Sequence, residues 1–436
     1  MALPFWLKKA CVRTGVARFL PIAKRFTNGE PRFARYVSDR ILAAPLDELR
    51  DPATFPQSCG SAIVNLNLGV PALDLAPPLR MPRDATPADA FGSMDLRTAI
   101  AQAHDRHPDP ASEIVVTHGA TGAYSAILDA FVNPGDRVVL FDPCSPLFHL
   151  GAKSRRANVN WVSTWSEDGR TRFLSAGLAK AMRGAKLLVL AQPGNPTGGR
   201  FSAEDLAEIA WTAERNDTLV CLDESFGRFR YGDAIPSLAT LPKMKPRTLT
   251  IDSMSAGYGL NALRVGWLTG HRQLARTVAL CANLAAPGVS CIAQQAAATV
   301  LLRDRAGFEP VLRQFSERRQ YTFDRLKGLG LDAALPSGGF AMWVSVASLG
   351  IDGRTFAEKL LREQRVLVGP GCAYGPSGAD FVRVSFAAED GRLREGLNRL
   401  AKFVGQLKGA EAQIATAEVA TEKVTSGEAV PSFSRV

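Results

Sequence analysis

Short runs of apolar, often β-branched residues alternate along this chain with segments whose apolar residues recur at helical spacing. From about residue 113, six runs are typical of buried strands: 113–117, 137–141, 186–191, 218–223, 248–252 and 264–270. Helical segments lie between several of them. The segment 202–215 is the clearest, with Ser202 as its N-cap and Glu204 and Asp205 in its first turn. This alternation predicts a mainly parallel sheet covered by helices on both faces.

The pattern changes toward the C-terminus. Long helices are predicted at about 272–304 and 307–328, and strands at 338–346 and 380–387 are typical of a smaller α+β domain. From Gly409 the chain is rich in Ala, Glu, Thr and Ser, with too few large apolar groups to offset the entropy lost on ordering. We therefore predict a basic N-terminal arm or small-domain segment (1–60), a large domain (61–310), a small domain (311–408) and a disordered tail (409–436).

The composition narrows the class of protein. A chain of 436 residues that is 46% hydrophobic and 22% charged is typical of an ordinary soluble globular protein with more than one core. Its seven cysteines are scattered without a CxxC pair, and its five histidines form no metal-ligand pattern. This favours reduced thiols in a cytoplasmic protein and argues against a zinc site or a disulfide framework. We predict no metal.

Part of the net charge of +10 is concentrated in residues 1–26, which contain six Lys or Arg residues and no acid. Apolar residues such as Trp6 and Phe19 provide an opposite side. Such a segment can lie on an anionic membrane surface. It can also be an arm packed on a partner subunit, which we favour. The sequence contains no apolar stretch of the roughly 20 residues needed to span a bilayer, and no nucleic-acid-binding module.

Polar residues follow several of the predicted strands, where ligands bind in open α/β sheets. Gly119–Gly122 follow the first strand and open a helix whose N–H groups can hold a phosphate. Further along come Asn195 in a Pro/Gly-rich turn, Asp223 at a strand end, and the loop that contains Ser253, Ser255 and Arg264. Each fragment alone fits a turn, a helix cap or a surface cation. Together they indicate a socket for a phosphorylated, protonated heteroaromatic ring.

Over about residues 60–408 the chain resembles the aspartate-aminotransferase superfamily, the class I/II enzymes of pyridoxal-phosphate fold-type I. The resemblance rests on NLNLGVP (65–71), GSMDLRTAI (92–100), NPGDRVVLFDP (133–143), QPGNPTGG, LDES, SMSAGYGLNALRVG (253–266) and FVRVSF. It implies a large domain with a mostly parallel seven-stranded sheet and a small α+β domain from both chain ends. It also implies a homodimer whose active site is shared between subunits.

The resemblance also implies roles for individual residues. Asn195 would hydrogen-bond the ring O3′, and Asp223 would pair with the pyridinium nitrogen of pyridoxal 5′-phosphate. Arg383 would bind the α-carboxylate of an amino-acid substrate, and Gly69 would line the substrate side. The phosphate would be held by the backbone N–H groups of Ala120 and Thr121 and by Ser253, Ser255 and Arg264.

One position departs from the family in a way that decides the chemistry. The Schiff-base lysine that follows the S-x-S motif is replaced by Ala256, and alanine can neither form that bond nor move a proton. We favour a Lys-to-Ala change introduced to inactivate the enzyme. The alternatives are a naturally lysine-free member, as among some sugar dehydratases or regulatory relatives, and a silent binding protein.

Three further departures surround the predicted ring site. Phe226 replaces a tyrosine that donates to O3′, Ser145 stands where an aromatic residue stacks on the ring, and Pro87 replaces a tyrosine lent by the partner subunit. Phe148 is a candidate to replace the stacking residue. We expect an aminotransferase. These departures leave open a lyase, or a γ-elimination or replacement enzyme that uses an activated amino acid such as S-adenosylmethionine, and a catalytically silent ligand-binding homologue.

Overall fold

The computed structural model describes residues 62–71, 73, 75, 77, 89–104, 106–167, 169–303 and 308–425. The basic segment 1–26, the rest of the predicted arm up to residue 60, Pro87 and residues 426–436 lie outside the described residues. Within the described part, no helix is long and apolar enough to cross a membrane.

The large domain is built on an eight-stranded sheet in the order β2-β9-β8-β7-β6-β3-β4-β5. Its strands are β2 Ile114–Thr117, β3 Arg137–Asp142, β4 Asn158–Glu167, β5 Arg170–Phe173, β6 Ala185–Ala191, β7 Leu219–Asp223, β8 Thr248–Ser253 and β9 Gly266–Gly270. Strands β4, β3, β6, β7 and β8 are parallel, and β9 is antiparallel to β8 and β2. The six predicted strands are confirmed. The predicted count of seven is exceeded by β5, which forms an antiparallel pair with β4.

Seven helices of the large domain are described: α1 Met94–Ala103, α2 Gly119–Phe131, α3 Pro146–Ser154, α4 Ser175–Met182, α5 Ala203–Arg215, α6 Arg272–Ala285 and α7 Cys291–Arg303. Ser202 caps α5 as predicted, in a capping box with Asp205. The single helix predicted at 272–304 is wrong, because it is divided into α6 and α7. Pro287 lacks an N–H group and Gly288 has a φ of +66°, so the chain leaves the helix there.

The small domain joins both ends of the described chain. It contains β1 Val64–Asn65, α8 Glu309–Gly328, β10 Asp332–Ala333, β11 Ala341–Ser345, α9 Gly353–Gln364, β12 Val366–Leu367, β13 Gly369–Pro370, β14 Phe381–Ser385 and α10 Asp390–Thr425. Strands β10, β11, β14 and β13 form an antiparallel sheet, and β1 pairs with β12. Buried phenylalanines fill the core beneath them: Phe315, Phe340, Phe356, Phe386 and Phe403.

Helix α10 extends past Gly409 to Thr425, into the segment for which the composition predicts a disordered tail. The difference has a physical reason, because the alanine and glutamate that make this segment poor in core residues are also strong helix formers. The backbone therefore has a regular conformation available without a large apolar face.

The sheet brings the predicted site residues to one edge. Strands β2, β8, β7, β6 and β3 run in the same direction, so their carboxyl ends lie along this edge together with the start of the antiparallel β9. The segments that follow these strands carry the polar residues singled out from the sequence.

Candidate active site

The first part of the site is a phosphate-sized cradle at the N-terminus of α2. Gly119 opens the helix with a φ of +73°, and a Cβ atom there would lie 2.9 Å from Nη2 of Arg264. A Cβ on Gly266 would lie 2.6 Å from the Ala120 nitrogen, so β9 packs directly against the start of the helix. Thr121, the third helical residue, is exposed. Free N–H groups, the helix dipole and the Arg264 guanidinium make this a site for an anion.

Asn195 follows β6 in a turn tightly enclosed by glycine and proline. Its Oδ1 atom is buried and has no hydrogen-bond partner among the described residues. Buried polar atoms are nearly always bonded, because an unsatisfied one loses its hydration without compensation. This atom is therefore available to a ligand group at the sheet edge.

Asp223 ends β7 opposite Ala191, the last residue of the neighbouring strand β6, and the turn that contains Asn195 begins after Ala191. Its Oδ1 accepts a hydrogen bond from the Ser225 nitrogen at 2.9 Å, and it forms no ion pair with a described residue. Burial raises the pKa of the Asp223 carboxyl above its ordinary value, the Ser225 hydrogen bonds lower it and Glu224 raises it further. A cationic group of a ligand would offset the free-energy cost of burying this carboxylate in its charged form.

The loop after β8 is fixed by its own backbone. The Ser253 Oγ accepts a hydrogen bond from the Ser255 nitrogen at 3.3 Å, and the Ser255 carbonyl accepts one from Gly259 at 2.9 Å. Ala256, at the centre of this loop, is 5% exposed and belongs to an apolar cluster that includes Phe226 and Phe340. The site therefore has an apolar surface where the resemblance places a lysine.

Neither of the two lysines just before β8 in the chain replaces the missing one. Lys243 and Lys245 precede β8, at the opposite edge of the sheet from Ala256. Lys243 pairs with Glu214, and Lys245 lies 3.0 Å from Glu113. Both amines therefore pair with carboxylates at the start of β8, whereas the loop that contains Ala256 follows the end of this strand.

The predicted ring wall is only partly assembled. Phe226 is buried and its ring lies 4.5 Å from that of Phe340, measured between centroids. Ser145 precedes α3 and is 8% exposed. Phe148 packs in the core of the large domain, edge-on to Tyr124 at 5.1 Å. This core packing gives no support to the expected contact between Phe148 and a cofactor ring.

Arg383 lies on β14 and is 2% exposed. Its Nη1 donates to the carbonyl and Oδ1 oxygens of Asn67, and Nη1 and Nη2 reach the Leu68 carbonyl at 3.4 and 3.3 Å. Its Nε has no partner among the described residues, and no described carboxylate pairs with it. Gly69 is exposed, and a Cβ there would meet no atom within 4 Å. A buried cation held only by neutral oxygens is suited to a carboxylate ligand.

These features fit pyridoxal 5′-phosphate. The unbonded Asn195 Oδ1, the Asp223 carboxylate without an ion-pair partner and the glycine cradle beside Arg264 match, in that order, a phenolic hydroxyl that donates, a protonated ring nitrogen and a phosphate. The fold and this set of strand-end groups define a fold-type I enzyme dependent on that cofactor.

Comparison with known proteins identifies the family. The model of the class I and II aminotransferases matches residues 81–400. The chain is 30% identical over 310 residues to the YugH protein of Bacillus subtilis, covering 71% of this chain and 80% of that protein. It is 29% identical to the arginine–pyruvate transaminase AruH of Pseudomonas aeruginosa, covering 80% and 92%. The aromatic aminotransferase of Pyrococcus horikoshii has a TM-score of 0.73 at 27% identity, covering 80% and 97%. The chain belongs to the class I and II aminotransferases.

Three residues at the site escaped the sequence reasoning: Asn67, Asp142 and Tyr374. Asn67 and Tyr374 lie beside Arg383. Asp142 ends β3, and its carboxylate accepts hydrogen bonds from the Ser377 nitrogen and Oγ at 3.1 and 2.9 Å. The available signal was the Gly/Pro-rich run 369–378 directly before the strand of Arg383, because such loops position binding residues.

Proposed function

We propose that this chain binds pyridoxal 5′-phosphate without a covalent link, together with an α-amino acid. When bound, the cofactor supplies an electron sink for bond cleavage at the amino-acid Cα. The observation that carries the proposal is an Asp223 carboxylate without an ion-pair partner at the end of β7, together with an unbonded Asn195 Oδ1 in the turn after the neighbouring β6. Within the described part of the chain, Asp223 is bonded only by Ser225 and faces no cation, and the Asn195 Oδ1 has no hydrogen-bond partner.

The roles of the side chains follow from their positions. Arg264, the α2 N-terminus, Ser253 and Ser255 hold the phosphate. Asp223 keeps the ring nitrogen protonated, and Asn195 binds the ring oxygen. Arg383 binds the substrate carboxylate, and Gly69 leaves room beside it. Ala256 and Phe226 form an apolar surface that can neither take nor donate a proton.

We propose that Ala256 is a Lys-to-Ala change in an aminotransferase. The remaining cofactor groups persist, whereas the group that moves the Cα proton is absent. The chain should therefore bind the cofactor and an amino acid and turn them over negligibly. A naturally lysine-free homologue is the alternative origin of the same site.

A second candidate chemistry is elimination or replacement on an activated amino acid such as S-adenosylmethionine. Phe226 leaves room for it, because an apolar ring packed against Phe340 stands where the resemblance places a hydroxyl group that donates to the cofactor. Conversion of pyruvate or 2-oxoglutarate by the Ala256→Lys variant, followed in a coupled assay, supports transamination. Release of the γ-substituent without conversion of the oxo acid supports elimination.

We further propose a cytoplasmic homodimer with a shared active site. Cys144, Cys221, Cys281 and Cys372 are free thiols, which suits a reducing compartment. Leu280 and Leu284, one helical turn apart on α6, are 62% and 78% exposed and offer an apolar surface to a second copy. A monomer in light scattering at micromolar concentration would contradict the dimer.

The cofactor proposal is tested by titrating pyridoxal 5′-phosphate into the purified chain and recording its absorbance and circular dichroism. Saturable binding of one cofactor per chain is expected, with no cofactor fixed to the protein by borohydride. A chain that binds no pyridoxal 5′-phosphate at micromolar concentration would contradict the proposal.

A further inference from the structure

Asn67, Tyr374 and Arg383 converge on Gly369, which pairs with Arg383 across β13 and β14. A Cβ atom on Gly369 would lie 2.6 Å from the Asn67 Oδ1 and 3.0 Å from the Tyr374 hydroxyl oxygen. The glycine therefore leaves the space that lets an amide and a phenol approach the arginine. The Tyr374 ring is 4% exposed and packs edge-on to Trp343 at 5.5 Å.

Tyr374 is held by the segment 371–378, which we call the strap. Three contacts fix the strap to the large domain. The Asp142 carboxylate accepts from Ser377, the Cys144 nitrogen donates to the Tyr374 carbonyl at 2.8 Å, and the His149 Nε2 lies 3.0 Å from the Ala373 carbonyl. The backbone of Tyr374 is therefore anchored one residue from Ser145, while its side chain reaches Arg383.

The Tyr374 hydroxyl oxygen and the Arg383 strand position meet at Gly369, and a hydrogen bond between the two side chains has only one possible direction. A guanidinium has no acceptor, so Arg383 would donate and the phenol oxygen would accept. Burial raises the pKa of the Tyr374 phenol above its ordinary value, so the phenol keeps its proton at neutral pH. The hydroxyl hydrogen is left to donate, next to a buried cation that has no described carboxylate.

We propose that Tyr374 is a second donor of the substrate-carboxylate pocket: Arg383 donates to its oxygen, and its hydroxyl donates to one oxygen of the α-carboxylate. This inference rests on the proposed function. Arg383 supplies the charge, and Tyr374 fixes the orientation of the carboxylate relative to the cofactor. The strap sets the position of the Tyr374 hydroxyl relative to Arg383, because its contacts with Asp142 and Cys144 fix it to the end of β3.

The test uses the cofactor-loaded chain and two amines that differ only by a carboxylate, L-alanine and ethylamine. The absorbance change of the bound cofactor gives a dissociation constant for each, and their ratio measures the contribution of the carboxylate. In the Tyr374→Phe variant this ratio should fall by about tenfold, as expected for one hydrogen bond to a charged group. The affinity for pyridoxal 5′-phosphate should be unchanged.

Tyr231→Phe is the matched control. Tyr231 is also buried, and its hydroxyl donates to the Gly339 carbonyl at 3.0 Å, away from Arg383. This variant should lose stability and retain the alanine-to-ethylamine ratio. An unchanged alanine-to-ethylamine ratio in Tyr374→Phe, with the cofactor bound normally, would overturn this inference and leave the proposed function standing. Failure of the unmodified chain to bind the cofactor would instead contradict the proposed function.

A second measurement applies if Tyr374→Phe fails to fold. A tyrosine with a single fluorine on its ring, placed at position 374, keeps the ring and the protonated hydroxyl and reports by fluorine NMR. Its resonance should shift when L-alanine is added and stay in place when ethylamine is added. Equal shifts with both amines would show that the hydroxyl does not sense the carboxylate, and would overturn the inference.

Discussion

Arg264 lies so close to Gly119 that a Cβ atom on residue 119 would be only 2.9 Å from the arginine Nη2. The Gly119→Ala variant should therefore push the guanidinium away from the α2 N-terminus. We expect the affinity for pyridoxal 5′-phosphate to fall at least about tenfold, the cost of one charge-assisted hydrogen bond. The positive φ of residue 119 should also destabilise the fold by about 1–2 kcal/mol. Absorbance titration and urea unfolding measure the two effects.

Gly135→Ala separates backbone strain from the steric effect. Gly135 has a φ of +90°, yet a Cβ there would meet no atom within 4 Å. This variant should lose similar stability and bind the cofactor normally. Equal cofactor affinity in both variants would show that Arg264 does not depend on the glycine for its position.

Asp223→Asn should stabilise the cofactor-free chain and weaken cofactor binding. Folding raises the pKa of Asp223 above its ordinary 3.8, so the folded chain holds this proton where the unfolded chain has released it. Stability is therefore lost as the pH rises from the ordinary pKa through the raised one. The asparagine variant escapes that loss. Its advantage in melting temperature should be present at pH 7 and absent below the ordinary pKa, while its cofactor affinity should be lower at least about tenfold.

Asp252→Asn tests whether the effect on binding is specific to Asp223. Burial also raises the pKa of Asp252 well above the ordinary value, and an amide oxygen can still accept from the Ser253 nitrogen. We expect the same gain in stability with unchanged cofactor affinity. A comparable loss of cofactor affinity in both variants would argue against a dedicated role for Asp223.

Asn195→Ala should weaken cofactor binding without destabilising the cofactor-free chain. The Oδ1 atom of Asn195 has no described partner, so its removal breaks no hydrogen bond that the described residues make and relieves a buried unsatisfied group. Asn160→Ala should show the opposite pattern. The Asn160 Nδ2 donates to the Ala181 carbonyl at 3.1 Å, and losing this bond should cost about 1 kcal/mol with no change in cofactor affinity. Thermal melts and cofactor titrations distinguish the two variants. A marked loss of stability in Asn195→Ala would show that the Asn195 side chain stabilises the cofactor-free chain, against this prediction.

The strands and the residues at their ends were predictable because they follow from local patterns. A buried strand such as β7 is a continuous apolar run, and Asp223 stands out as the charge that ends it. The parallel arrangement then places the ends of β6, β7 and β8 on one edge without further information.

The features that sequence reasoning missed depend on contacts between distant segments. The contact of Tyr374 with Arg383 requires the strap to be anchored at Asp142, more than 200 residues earlier in the chain. The break between α6 and α7 had a local signal in Pro287 and Gly288, which the helical periodicity on either side obscured. The core position of Phe148 was decided by its packing against Tyr124, which spacing alone cannot reveal.

Ala256→Lys should return the covalent link between chain and cofactor. Ala256 lies at the centre of the loop after β8, on the edge that carries Asp223 and Asn195. A lysine there has a long side chain that can reach the ring site past the apolar surface of Phe226. After incubation with pyridoxal 5′-phosphate and borohydride, the variant should gain the mass of one reduced cofactor, and the unmodified chain should not. Transfer of an amino group to pyruvate or 2-oxoglutarate should appear with it.

The Ala262→Lys variant provides the control, because Ala262 is exposed in the same loop and its lysine would face solvent. It should bind the cofactor without specific attachment.

The two possible origins of Ala256 predict different results for Ala256→Lys. A recent single change leaves a site ready for the lysine, so attachment and activity should return together. A site that has been lysine-free for long has adapted to alanine, and Phe226 and Ser145 are the residues where that adaptation would be found. Cofactor binding without attachment in Ala256→Lys would therefore reject the Lys-to-Ala interpretation and favour the naturally lysine-free one.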